Sequence, residues 1–118
     1  MSVSVSIIVP CYNVAAYLDQ CMESLTGQSM EDIEIICVND GSSDRTAEIL
    51  REWGNRDRRV RIIDQKNSGV SAARNSGMEA AAGTYIGFVD PDDMVERNMF
   101  QRLFTAAAEK DADVAVCG

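Results

Sequence analysis

Ile33-Glu34-Ile35-Ile36-Cys37-Val38-Asn39-Asp40-Gly41-Ser42-Ser43-Asp44 is the stretch that decides the fold. Residues 33–38 form an apolar run, broken only by Glu34 and rich in β-branched side chains, which suits a strand covered on both faces. Asn39 to Asp44 is dense in turn formers and helix N-caps, and it opens a helical pattern through about Trp53. The same order repeats on either side. Upstream, residues 3–11 are β-rich, and Asn13 is placed to cap a helix in which Val14, Leu18, Cys21 and Leu25 recur at helical spacing until Gly27. Downstream come a short strand at residues 60–63 and a helix from near Gly69 to Ala82, with Val70, Ala73, Gly77 and Ala80 on one face. Gly83 closes that helix. A fourth strand at residues 85–89 and a helix over residues 97–109 follow, then a last strand near Asp113. Repeated β-α units predict an α/β fold, a mostly parallel open sheet with helices on both faces. No internal repeat or linker interrupts it, so residues 1–118 read as one unit.

Composition narrows what such a unit can do. With 118 residues, 46% of them apolar, the chain has material for one modest core and is not disordered. Eleven Lys and Arg against nineteen Asp and Glu leave a net charge of −8. That makes it a poor partner for nucleic acid or an anionic membrane. A phosphate compound would have to be held by backbone donors, a few placed cations or a metal ion. There is no histidine, so a general base must be a carboxylate, a lysine or a tyrosine.

Cys11, Cys21, Cys37 and Cys117 lack the paired spacing of a zinc site and read as reduced thiols of a cytoplasmic protein. The first ten residues have no basic n-region, and no apolar run approaches the roughly twenty residues a membrane span needs. At the other end Val114-Ala115-Val116-Cys117 reads as a strand with only Gly118 after it, so the expectation is a chain cut short.

In open parallel sheets ligands bind beyond the carboxyl ends of the strands. The conspicuous polar residues gather at such ends: Pro10-Cys11-Tyr12-Asn13, Asn39-Asp40-Gly41-Ser42, Asn67-Ser68-Gly69 with Arg74 and Asn75 following, and Asp90-Pro91-Asp92-Asp93. In a parallel sheet all four sets face one crevice. Asp90, Asp92 and Asp93 crowd negative charge, which a hard divalent cation would relieve; the same acids would equally cap the next helix. Asp40 is suited to accept a hydrogen bond from a nucleobase or ribose, or to start a turn. Tyr12 suits stacking on a base or closing the core, and Arg74 suits a base or phosphate contact or a solvated helix face. The residue types alone leave these pairs of readings open.

Taken together, Val5-Ser6-Ile7-Ile8-Val9-Pro10-Cys11-Tyr12-Asn13, Val38-Asn39-Asp40-Gly41-Ser42-Ser43-Asp44, Asn67-Ser68-Gly69-Val70-Ser71-Ala72-Ala73-Arg74-Asn75 and Phe88-Val89-Asp90-Pro91-Asp92-Asp93 resemble the family 2 glycosyltransferases. These have the GT-A fold, a Rossmann-like nucleotide-sugar-binding architecture. The resemblance implies that Pro10 and Tyr12 lie along the nucleobase, that Asp40 meets its imide edge, and that Arg74 assists at the base or phosphate. Asp90-Pro91-Asp92-Asp93 looks like the family's Asp-x-Asp element. Asp90 would then hold the ribose, and Asp92 or Asp93 a Mn2+ or Mg2+ ion on the diphosphate. The implied reaction is inverting transfer from a nucleotide-diphosphate sugar, with a UDP-sugar the expected donor, to a glycan or other hydroxyl acceptor. The family's general base lies in the second half of its domain, so residues 1–118 are expected to supply the donor-binding part alone. The whole protein would be cytoplasmic or peripheral to the membrane. The competing expectation is a non-catalytic fragment that binds nucleotide or self-associates into a homo-oligomer through an exposed sheet edge. A phosphoacceptor receiver domain fits less well, because a Gly41-Ser42-Ser43-Asp44 turn follows Asp40 and no lysine ends a late strand.

Overall fold

Strand and helix alternate as the sequence predicts: β1 (Val5–Cys11), α1 (Ala15–Thr26), β2 (Ile33–Asp40), α2 (Thr46–Arg56), β3 (Val60–Gln65), α3 (Val70–Ala80), β4 (Tyr85–Phe88) and α4 (Met99–Lys110). The computed structural model describes residues 3–92 and 96–110; the last expected strand and Asp93 lie outside them. The strands make one sheet in the order β3-β2-β1-β4, and every pairing is parallel.

Alternate residues of the strands feed two layers. Val5, Ile7, Val9 and Cys11 of β1 and Ile33, Ile35 and Cys37 of β2 turn to one side, where they meet Leu18, Cys21, Met22 and Leu25 of α1 and Ile49, Leu50 and Trp53 of α2. Phe100 of α4, 1% exposed, enters the same core. Burying that ring contributes about 1.5–3 kcal/mol toward holding α4 against the sheet. Ile36 and Val38 turn to the other side, against Ala73 of α3. The sheet is therefore covered on both faces, which is why its strands read as near-continuous apolar runs. Cys11, Cys21 and Cys37 are buried in the first layer, none of them in a disulfide. A hydrogen bond with Cys11, together with burial, pushes the Cys37 thiol well up, so it packs as a neutral hydrophobe.

Glu34 ties α3 to the sheet. Its carboxylate accepts hydrogen bonds from Ser6 Oγ (2.5 Å), the Ala82 N–H (2.6 Å) and Arg61 Nη1 (2.7 Å), while Ser6 Oγ accepts from the Gly83 N–H (2.8 Å). Burial pushes the Glu34 carboxyl up, but these partners outweigh it and hold the group below the usual carboxylate range. Because the Ala82 and Gly83 amides are engaged by the sheet, α3 stops at Ala80 rather than at the expected Ala82.

The order of the strands locates the crevice. The chain steps outward from β1 to β2 to β3, then crosses back by α3 to place β4 on the far side of β1. The carboxyl ends of β1 and β4 flank this reversal, the place where open α/β sheets bind ligands. Pairing between the two runs from Val5↔Tyr85 to Ile8↔Phe88, closed by a Val89 N–H to Ile8 carbonyl bond of 3.0 Å. Pro10 lies two residues on and has its backbone edge on the same side, past the end of β4. Its missing N–H therefore breaks no rung of the described sheet.

Candidate functional site

Pro10, Cys11, Tyr12, Asp40, Asn67, Gly69, Val70 and Ala73 line a cavity of about 330 Å³ above the carboxyl ends of β1 and β2. Pro10 is buried in β1, whereas Tyr12 is 52% exposed at the same cavity. That exposure excludes the reading of Tyr12 as a core residue. Val70, expected on one face of α3 with Ala73, Gly77 and Ala80, is also exposed (53%), whereas Ala73 and Gly77 are buried, because Val70 sits in the first turn beside the cavity and not over the sheet.

Asp40 is the most fully engaged of the expected residues. It is 3% exposed; Oδ1 accepts from Gln65 Nε2 (2.9 Å) and the Ser68 N–H (2.8 Å), and Oδ2 accepts from the Gly69 N–H (2.9 Å). Gln65 is itself oriented, since its Oε1 accepts from the Ser76 hydroxyl at 2.6 Å. The Gln65 amide holds the Asp40 carboxyl below its ordinary range; burial opposes this, and the Ser68 and Gly69 amides add to it. A carboxylate offers about four lone-pair sites, so these three bonds leave about one acceptor position unfilled among the described residues. Gly69 donates from φ 97°, a conformation glycine adopts without strain. Gly41, at φ 71°, lets the β2–α2 loop come so close that a Cβ there would lie 2.7 Å from Asn67 N. Gln65 and Ser76 were not among the expected site residues, although Gln65, a polar end to an apolar strand, carries the same signal as Asp40.

Arg74 and Asp90 do not line this cavity; they pair at its β4 side. Arg74 Nη2 is 3.6 Å from Asp90 Oδ1, and the guanidinium lies 6.0 Å from the centre of the Phe88 ring. Arg74 Nε is buried with no hydrogen-bond partner among the described residues, so Arg74 is not simply a solvated charge on a helix face. Ile8↔Phe88 is the last β1–β4 pair; Asp90 lies two residues past the end of β4, and Asp92 follows, exposed.

Among the described residues no three His, Cys, Asp or Glu side chains converge. Asp92 nonetheless offers exposed hard oxygen donors, which suit an ion that takes its remaining ligands from phosphate and water.

The expected role of Asn13 is corrected. Val14, not Asn13, stands at the N-cap of α1, with no side-chain cap bond, and Asn13 is at φ 52°. Asn13 Oδ1 turns away from its own helix to accept from the Ser43 N–H (2.8 Å) and the Asp44 N–H (3.3 Å).

Residues 6–118 match the sequence pattern of Glycosyl transferase family 2. The chain belongs to that family. A relative from Bacillus subtilis (strain 168), the uncharacterized glycosyltransferase EpsJ, is 54% identical over 114 residues, 97% of this chain and 33% of EpsJ. Residues 1–349 of S. aureus TarS in complex with UDP-GlcNAc superpose with a TM-score of 0.83 at 28% identity, over 90% of this chain and 31% of that one. The mannosyltransferase PcManGT from Pyrobaculum calidifontis, in complex with GDP-Man and Mn2+, gives 0.84 at 21% identity, over 92% of this chain and 33% of its own, a likeness of fold. The fold is thus the expected GT-A, Rossmann-like one. The family 2 chain described here spans 16% to 39% of the length of such curated relatives.

Proposed function

We propose that this family 2 chain is the donor-binding part of a glycosyltransferase that takes a nucleotide-diphosphate sugar, a UDP-sugar first, and transfers its sugar to a glycan or other hydroxyl acceptor. The observation that carries this reading is a cavity above the carboxyl ends of β1 and β2 that brings an exposed aromatic ring to a buried carboxylate, with an arginine–aspartate pair beyond the end of β4. Pro10 and Tyr12 lie along the base, and the spare acceptor position of Asp40 takes the imide N–H. Arg74 and Asp90 meet the ribose and phosphate side. Asp92 or Asp93 holds a Mn2+ or Mg2+ ion. When bound, that ion neutralises charge on the departing diphosphate.

Asp90 and Arg74 orient the donor's ribose and phosphates, and the apolar wall of Pro10, Val70 and Ala73 excludes water from the base. Membership of a transferase family favours this reading over a non-catalytic fragment. Among the described residues no helix is long and apolar enough to cross a membrane, and the buried reduced thiols accord with a cytoplasmic site of action.

Titration of the chain with UDP and Mn2+, followed by amide NMR, is the direct test. Shifts confined to residues around Tyr12, Asp40, Gly69 and Asp90 are expected; an unchanged spectrum would refute a working donor site.

A further inference from the structure

The β1–α1 loop is held by side chains of the β2–α2 loop and of the first residue of α2, and Asn13 answers with its own. Three successive amides, those of Asn13, Val14 and Ala15, donate to Ser42 Oγ (3.1 Å), Thr46 Oγ1 (3.0 Å) and Asp44 Oδ2 (3.2 Å). In return Asn13 Oδ1 accepts from the Ser43 and Asp44 amides, 30 and 31 residues away along the chain. Asp44 completes the exchange, because its Oδ1 accepts from the Thr46 N–H (2.9 Å) at the start of α2. The orphan amides at the start of α1, and one at the start of α2, are thus satisfied across loops.

Tyr12 stands directly before this clasp. It is 52% exposed, so burial does little to fix it. Its position follows from the backbone on either side: Cys11, fully buried in β1, and Asn13, whose left-handed φ of 52° is stabilised by the bonds its side chain accepts. We infer that Asn13 and Asp44 are positioning residues for nucleotide binding, acting through Tyr12: the clasp between the two loops sets the ring along the base. Asp44 touches no ligand in this account; it acts on the backbone that carries the ring. The inference rests on the placement of Tyr12 along the nucleobase proposed above.

A double-mutant cycle on the full chain separates the two claims, with UDP as the probe and calorimetric titration as the readout. Asp44→Ala is expected to weaken UDP binding about tenfold in the presence of Tyr12, and by less than about twofold when Tyr12→Ala is already in place. An equal loss in both backgrounds overturns the positioning role and leaves Tyr12 as a base contact. No loss on Tyr12→Ala alone overturns the reading of Tyr12, and the inference falls with it. Should Asp44→Ala fail to fold, Asn13→Gly repeats the cycle. Glycine keeps the positive φ without strain while removing the Oδ1 acceptor. A cooperative unfolding transition for each variant establishes that the comparison is made on folded protein.

Discussion

Arg74 Nη2 reaches Asp90 Oδ1 at 3.6 Å from α3, across the end of β4, while its own Nε stays buried without a partner among the described residues. Both charged side chains are more than two-fifths exposed, so the pair stabilises the fold by less than about 1 kcal/mol. An arginine that contributes little to folding yet keeps a buried donor unsatisfied is suited to a ligand. Arg74→Met is therefore expected to weaken UDP binding about tenfold, the effect of losing a charged hydrogen bond. The midpoint of thermal unfolding should move by no more than a few degrees. A large fall in that midpoint with unchanged affinity would reverse the assignment.

Asp40 ties folding to pH. Its carboxyl titrates below the ordinary value of about 3.9 in the folded chain. The stabilisation is thus fully present above the unfolded pKa and is lost as pH falls through the lower, folded one. Asp40→Asn replaces one acceptor oxygen by an NH2 group facing backbone donors. At pH 7 it should cost about 1–3 kcal/mol in urea unfolding. The deficit relative to the parent chain should shrink as the pH drops below about 4. A constant deficit down to pH 2 would mean that the ionised form is not what the Gln65, Ser68 and Gly69 donors recognise.

Gly77 tests the packing of α3. A Cβ there would lie 2.5 Å from Cγ2 of Ile8, which is fully buried in the central strand. Helix propensity favours Ala over Gly by about 1 kcal/mol. Overpacking a core costs about 1–3 kcal/mol, and a side chain in mid-sheet has little room to yield. Gly77→Ala should accordingly destabilise the chain on balance; a net gain in denaturant midpoint would show that α3 can ride outward on the sheet.

Asp92 addresses the cation. With UDP bound, Mn2+ should tighten binding in the parent chain, and Asp92→Ala or Asp93→Ala should remove most of that enhancement while leaving metal-free binding within about twofold. Paramagnetic broadening by Mn2+ of amides near Asp92 in the presence of UDP, lost in the variant, would locate the ion. Equal enhancement in the parent and both variants would rule out these acids as its ligands.

The register of elements was readable because each strand is a short apolar run punctuated by turn chemistry, and the four polar strand ends announced themselves as a group. What stayed hidden is what depends on contacts far along the chain. Asn13 has the look of a local N-cap, and spacing alone offers no sign that it bonds to residues 43 and 44 instead. The Ser76–Gln65–Asp40 relay joins three elements through single hydrogen bonds, a geometry that leaves no periodic trace. Val70 fits the helical stripe of Ala73 and Gly77, yet its place in the first turn leaves it over the cavity rather than the core. The strand order, on which the crevice depends, follows from the crossover of α3 and is not encoded in any one motif.

The chain contains two prolines. In the register of β1 with β4, the next rung beyond Val89 to Ile8 would need the N–H of residue 10, donated to the Val89 carbonyl. The rung after that would need the N–H of residue 91, donated to the carbonyl of residue 10. Those positions are Pro10 and Pro91, so both donors are missing and the two strands cannot zip further together. An open sheet gains by extending its ladders, and a cleft between neighbouring strands is the first space such growth would fill. Here the covalent structure of two side chains withholds the donors that such growth would need, independently of any ligand, loop or solvent.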